Sequence, residues 1–424
     1  MVNYRRNPTV QFIILVVLSA VLLIGLTYFN LQYSRTNPGG NDFLVHWVGT
    51  RAFFTEGISP YSDEAAIRIQ TLAYGRPAEA GEHELRVAYP LYSMLMFLPF
   101  ALISDFTTAR ALWMTLLECT LVIIMFLSIR LADWKPRPLL LAAMFVFGLL
   151  WYHSLRPLIN GNAVILIALF IIGGLTALKN GQDELAGLLF ALSTIKPQVV
   201  VVFYLFILLW GIRKRRFKVV GWMVGVVVLM VLTAALFQSD WILQNLREVL
   251  RYPGYNPPGT LQAALAYYLP AMGARVGWII AGILGAVMLL EWWLVVRWDF
   301  RGFLWTACFT LVVSQWIGIQ TDPGNFIVLT PAILLSFALW EERWRRGGRI
   351  MTIVSLVVLF FGIWAIFLAT VQYGDQPQQA PIMFLPLPLM MLITLFWVRW
   401  WAVNPPRSWY EITYDKENPT RYSG

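Results

Sequence analysis

The chain alternates long apolar runs with short polar breaks. The first run covers about Val10 to Phe29, and others follow at about 108–130, 138–155, 162–179, 184–196, 198–212, 217–237, 275–297, 302–320, 325–342, 349–371 and 381–402. Most approach the ~20 residues that carry a helix across a bilayer. They lack the period-two alternation of a membrane β-barrel. Continuous apolar segments can satisfy their backbone polar groups in lipid only as helices. The pattern therefore predicts an all-α polytopic membrane protein with about 12 transmembrane helices. The runs at 184–196 and 198–212 are broken by "IKPQ" and are expected as two short helices meeting near one face. "YPLYSMLMFLPFALI", Tyr89–Ile103, is short and carries proline near both ends, so it is expected as a re-entrant or juxtamembrane helix.

Composition agrees with this reading. Of 424 residues, 58% are hydrophobic and 13% charged, with a mean hydropathy of +0.64, whereas soluble domains hold about 25% charged residues. The 20 Trp and 17 Tyr, many near run ends, fit interfacial belts. The net charge of +9 belongs to loop topology, and no nucleic-acid partner is expected. Cys119 and Cys308 both lie inside apolar runs and suggest neither a disulfide framework nor a zinc site.

Charge orients the bundle. Arg5 and Arg6 precede the first run, while "RKRRFK" (Arg213–Lys218) and "RWRRGGR" (Arg343–Arg349) interrupt later ones. The positive-inside rule places these, and both termini, in the cytoplasm of a multi-pass cell-membrane protein. Three regions follow: 1–237, containing a long outer loop from 30 to 106; 238–402, with a second outer loop at 238–274; and a cytoplasmic tail, 403–424. Five polar clusters then share the extracytoplasmic side: "NDFLVH" (41–46), "LRPLINGN" (155–162), "IKPQ" (195–198), "RYPGYNPPGTLQ" (251–262) and "QTDPGN" (320–325). They are expected to wall one cavity.

Within them, Asp42 follows the breaker "PGG" and precedes a helical pattern, where an N-cap belongs. A cap of that kind holds its carboxylate ionised and leaves lone pairs for a general base. His46 lies one turn on, and Arg51 and Glu56 are expected to be solvated or paired with each other. Lys196 sits between apolar runs, which marks either a snorkelling lysine or a functional cation suited to phosphate. Arg156, Asn160 and Asn162 occupy a turn ahead of a helix N-terminus, a favourable place for anions. Tyr61, Tyr89, Gln198, Tyr255, Asn256 and Asp322 complete the candidates for sugar or acceptor binding. Glu118 falls mid-span and needs a partner on another helix, whereas Glu291 is expected to pair with Arg297. No Walker loop, HExxH, G-x-S-x-G or metal-ligand cluster is present.

The succession "NDFLVHWVGTRAFFTEGISPY", "AYPLYSMLMFLPFAL", "RPLINGNAVILIAL" and "GQDELAGLLFALSTIKPQVV" resembles glycosyltransferase family 87. This group of GT-C enzymes includes polyprenol-phosphate-mannose-dependent mannosyltransferases. In this chain "YPL" stands where the family commonly has Tyr-Pro-Pro, and "NGN" where it has Gly-Gln-x-Asn. The resemblance covers about the first half. It implies a GT-C fold and a polyprenyl-phosphate sugar donor. It also implies a glycolipid, glycan or protein acceptor, with surrounding membrane lipid. By that resemblance Asp42 is the catalytic base and Lys196, with Arg156, binds the donor phosphate; transfer inverts the anomeric centre, and no metal or other cofactor is obligate. A transporter or lipid-carrier flippase is the alternative that the broken helices around Pro197 suggest. A ligase-like enzyme that draws on lipid pyrophosphate would need outer-loop arginines, for which Arg247 and Arg251 are the candidates.

Overall fold

The computed structural model describes residues 8–256, 259–371 and 378–404. The described residues form helices joined by short turns, with no strand. The expected tail at 403–424 lies almost wholly outside them.

Helix α1 (Pro8–Thr36) presents its apolar surface outward. It is followed by α2 (Asn41–Glu56) and α3 (Asp63–Tyr74), which make the first long loop helical as expected. Tyr89–Ile103 folds as a 3-10 turn, Leu91–Ser93, and a short α4 (Met94–Ala101). Together these are only about 16 Å long, half of a hydrocarbon core.

The bundle proper comprises α5 (Phe106–Leu131), α6 (Pro138–Leu150), α7 (Tyr152–Asn160), α8 (Val164–Lys179), α9 (Asp183–Ser193), α10 (Pro197–Arg213) and α11 (Phe217–Phe237). A second loop carries α12 (Trp241–Tyr255) and α13 (Leu261–Tyr268). Then come α14 (Gly273–Leu294), α15 (Phe300–Ser314), a 3-10 segment (Pro323–Leu329) running into α16 (Thr330–Trp344), α17 (Arg346–Val357), α18 (Ile363–Thr370) and α19 (Pro386–Val403). A π-helical stretch at Val358–Gly362 joins α17 to α18.

Among the described residues, seven helices are long and apolar enough to cross a membrane, or eight if α6 and α7, bent by 41°, count as one. The other expected spans, α8, α9, α10 and α15, are helical but shorter. The Pro323–Trp344 segment is buried along its whole apolar window and forms the centre of the bundle, touching α5, α15, α17 and α19.

Polar contacts between helices follow the cost of unpaired groups in lipid. Asn30 on α1 donates to Glu118 Oε2 (2.8 Å) and to Thr115 Oγ1 (3.1 Å), giving Glu118 the interhelical partner its position requires. Glu291 pairs with Arg399 of α19 at 2.7 and 3.0 Å, not with Arg297 as expected. The guanidinium arrives from a neighbouring helix, and Arg297 instead lies over Trp293.

Three elements position the site. Helices α8 and α10 and the 3-10 segment leading into α16 all start at one end of the bundle, where Asn162, Lys196 and Asn325 touch. They run in a common direction. Lys179, at the end of α8, and Arg345 and Arg349, beyond α16, line one cavity at the opposite end. At 16 residues, α8 separates the two ends by about 24 Å.

Candidate active site

Local backbone geometry places Asp42. Gly39 and Gly40 both take positive φ (126° and 79°), and helix α2 begins at Asn41 with Gly40 as its N-cap. A Cβ on Gly40 would lie 2.6 Å from Arg110 Nε, so glycine is required for the close approach of that arginine. Arg110, fully buried, donates to Asn37 O (2.8 Å) and Ile159 O (3.3 Å), tying the approach to α2 onto the end of α7. Gly161, also at positive φ (71°), ends α7; a Cβ there would meet Phe43 Cβ at 2.5 Å. Trp113 stacks on Phe43 at 5.3 Å and donates to Gly161 O at 2.8 Å. These contacts set the residue before Phe43 beside the residue after Gly161.

Asn162 Nδ2 therefore donates to Asp42 Oδ2 at 2.7 Å. The amide's orientation is fixed by its other side. Asn162 Oδ1 accepts from the Val164 N–H (2.9 Å) and from Lys196 Nζ (3.0 Å), both of which can only donate. Lys196 Nζ also donates to Asn325 Oδ1 at 2.8 Å and lies 5.5 Å from the centre of the Tyr89 ring. It is buried and joins no ion pair among the described residues, so a cation and a carboxylate are held apart by one asparagine. Asn325 is steadied by Thr321, at 3.1 Å.

Asp42 is thus not the N-cap expected of it. It lies one residue inside the helix and accepts no capping hydrogen bond, so its partner comes from across the bundle. Its ionisation is also not protected by the helix. Burial raises the carboxyl above its usual value; Lys196 and Arg156 oppose this, and the nearby Asp322 adds to it.

Asp322 caps the 3-10 segment through Gly324 N (2.6 Å) and accepts from Arg156 Nη1 (2.7 Å) and Gln379 Nε2 (3.2 Å). His46 is clasped between Tyr89 and Phe97, with ring centres 4.1 and 4.5 Å away. Burial, then Lys196, lowers its pKa to about 3, so the ring is neutral, and its Nδ1 has no hydrogen-bond partner among the described residues. The starts of α2, α8, α10 and the Pro323–Leu329 segment converge here and direct N-terminal partial positive charge into one space.

Of the residues singled out from sequence, Asp42, His46, Tyr89, Arg156, Asn162, Lys196 and Asp322 come together. Tyr61 supports them: its hydroxyl donates to Tyr89 O at 2.8 Å. Arg51 is held elsewhere, donating to Ala101 O at 3.0 Å, and Glu56 pairs with Arg68, not with Arg51. Gln198 is exposed, and Asn160 forms no side-chain hydrogen bond that joins it to the cluster. Tyr255 and Asn256 line a separate cavity.

Arg110, Asn325 and Tyr252 were not singled out as candidates. Asn325 and Tyr252 left a usable signal, as members of the clusters "QTDPGN" and "RYPGYNPPGTLQ". Tyr252 belongs to the same neighbourhood: its hydroxyl is raised by burial first and then by the charges of Asp42 and Asp322. Among the described residues, no group of three or more His, Cys, Asp or Glu side chains is placed to hold a metal ion.

The chain matches glycosyltransferase family 87 over residues 88–316, more than half its length. That region contains Tyr89, Arg156, Asn162 and Lys196. No curated protein and no solved structure matches the chain. The cluster thus sits in the matched region and is completed by Asp42 from before it and by Asp322 and Asn325 from beyond it. The chain belongs to glycosyltransferase family 87 and is a membrane-embedded enzyme that transfers sugar from a donor to an acceptor.

Proposed function

We propose that this enzyme takes its sugar from a polyprenyl-phosphate donor and passes it to an acceptor hydroxyl by a single inverting displacement. The observation that carries the reading is the separation of Lys196 from Asp42 by Asn162. Lys196, with its third N–H and no carboxylate partner among the described residues, is a cation kept for an anion that arrives with substrate. The converging helix starts favour the same charge.

In this mechanism Asp42 accepts the proton of the acceptor hydroxyl as its oxygen bonds to C1 of the sugar. The C1–O bond to phosphate breaks, and its electron pair leaves with the polyprenyl phosphate. Lys196 and the remaining donors of Arg156 stabilise the charge that grows on that oxygen. Asn162 holds the carboxylate while Lys196 fixes the amide. Neutral His46 offers a hydrogen-bond acceptor to a sugar hydroxyl. No step uses a metal.

The end of the bundle with Lys179, Arg301, Arg345 and Arg349 carries the positive-inside signal, so the site is assigned to the extracytoplasmic face of the cell membrane.

Purified enzyme with a polyprenyl-phosphate mannose or pentose provides the test. Asp42→Asn keeps shape and hydrogen bonding but removes the base, and a fall in transfer of about 10²–10⁴-fold is expected with unchanged thermal unfolding. Near-normal transfer by Asp42→Asn overturns the assignment. Lys196→Met separately tests the phosphate role through loss of donor binding.

A further inference from the structure

A cavity of about 570 Å³ opens at the basic end of the bundle, away from Lys196 and Asp42. This falls within the ~300–1,000 Å³ of small-molecule sites. Helix ends frame it: α5 stops at Leu131, α8 at Lys179 and α16 at Trp344, while α15 begins at Phe300. Its floor is apolar, made by Leu131, Leu304, Leu335 and Leu339, all buried. Its rim is charged.

The four carboxylates of the rim are already engaged with the protein. Asp133 pairs with Lys179 at 2.6 Å, and Glu342 takes two N–H groups of Arg301 at 2.7 and 3.2 Å. Glu341 accepts from Arg349 and from Trp134, and Asp299 caps α15 through the Gly302 N–H at 3.0 Å. Five cations line the same cavity, and two of them, Lys135 and Arg345, join no ion pair among the described residues. Two uncommitted positive charges therefore stand above an apolar floor.

Arg345 is also strained. It alone joins α16 to α17, with φ 49° and ψ −110°. Glycine adopts this backbone freely, whereas a residue with a Cβ resists it. Strain of this kind gathers at ligand clamps and functional turns. Glycine would serve the turn better, so what arginine adds is its guanidinium at the cavity rim. Helix α17 starts at the next residue, and its N-terminal partial charge has the same sign.

The cavity suits an anion joined to an apolar body. Leu335 lies about 15 Å along α16 from Arg345, too deep for a phosphate group alone to fill. Helix α5 and the Pro323–Trp344 segment are both long and apolar enough to cross a membrane, so their ends stand near headgroup level. Basic pockets between spanning helices at that level suit lipid phosphates.

We propose that this cavity binds an anionic phospholipid of the surrounding membrane. Its phosphate meets Lys135 and Arg345, and its glycerol and first acyl carbons cover the leucine floor. The inference does not depend on which donor or acceptor the enzyme uses.

Native mass spectrometry of the full-length enzyme, released from neutral detergent, tests it. The probes are dioleoyl phosphatidylglycerol and dioleoyl phosphatidylcholine, with millimolar inorganic phosphate as competitor. One phosphatidylglycerol per chain is expected to bind at least tenfold more tightly than phosphatidylcholine, and to stay bound in the presence of phosphate. A cation beside an anionic headgroup is worth about fivefold in affinity, so Arg345→Gly and Lys135→Gln should each cost about that much. Arg345→Gly relieves the backbone and should keep or raise the unfolding temperature, which separates lost binding from lost folding. Lys214→Gln, an exposed cation of "RKRRFK" outside the cavity, should change affinity less than twofold. Equal binding of the two lipids overturns the proposal. So does a loss with Lys214→Gln as large as with Arg345→Gly, which would mean diffuse adsorption. Displacement by inorganic phosphate would assign the cavity to a free anion and overturn it as well.

Discussion

The two ends of the bundle are both rich in charge, and ion pairs occur at both, Arg156–Asp322 among them, but Lys196 and Asp42 are held apart. At the basic end five cations near turns are paired with carboxylates. Lys179 pairs with Asp133 (2.6 Å), Lys218 with Glu184 (2.8 Å) and Arg301 with Glu342 (2.7 Å), while Arg216 pairs with Asp183 and Arg349 with Glu341. Many of these groups are solvated, so their pairing secures turns at modest gain. At the other end Lys196 and Asp42 are close enough to influence one another, yet neither touches the other. Burying a cation and an anion without direct pairing is costly, and a structural turn would let them collapse together. Asn162 prevents the collapse. On the proposed reading, charge held apart is where the charge of the substrate is met.

The largest expected effect comes from breaking that separation. Asn162→Asp gives Lys196 a carboxylate partner and sets a like charge against Asp42. Transfer should fall by about 10²-fold or more, as for a displaced catalytic group. Asn162→Ala should fall less, since it removes the spacer without adding charge. Steady-state kinetics, with circular dichroism to confirm folding, checks both. If Asn162→Asp retains full activity, the spacing has no catalytic meaning.

A smaller effect concerns pH. Burial raises the Asp42 carboxyl; if Asp42 is the base proposed above, it works only when ionised, and kcat/KM should decline as pH falls through a value above the usual carboxylate range of about 3.9–4.3. Lys196 opposes that rise. Lys196→Met should therefore move the acid limb to higher pH, whereas neutralising Lys218 at the basic end should leave it in place. A limb that ignores Lys196 removes the electrostatic link between the two residues.

Much of this contrast was legible in the sequence. The runs gave the helices, "RKRRFK" and "RWRRGGR" marked one end, and "LRPLINGN", "IKPQ" and "QTDPGN" did gather at the other. What escaped was register. In "PGGND" either glycine or aspartate could cap α2, and the choice depended on Arg110 packing against Gly40 from α5. Arg399 took Glu291 from 108 positions away, where sequence proximity favoured Arg297. Span length misled as well, since α8 and α10, at 16 and 17 residues, stop short of the usual ~20. Periodicity reports which face of a helix is apolar but not which rung of a neighbour it meets.

The smallest expected effect tests the basic end from its own side. Glu341 accepts from Arg349 and from Trp134 Nε1 (2.8 Å), and so ties α17 and the α5–α6 turn to the end of α16. Glu341→Gln keeps an acceptor for the indole and removes only the charge. The pair is partly solvated, so the loss should be about 0.5–1 kcal/mol of stability, read as a small drop in unfolding temperature. Sugar transfer should stay within about twofold, because the site lies a full helix length away at the other end of α16. If Glu341→Gln instead lowers transfer as far as Asn162→Asp does, paired charge at this end is coupled to turnover. The distinction between an end that secures the bundle and an end that reacts would then fail.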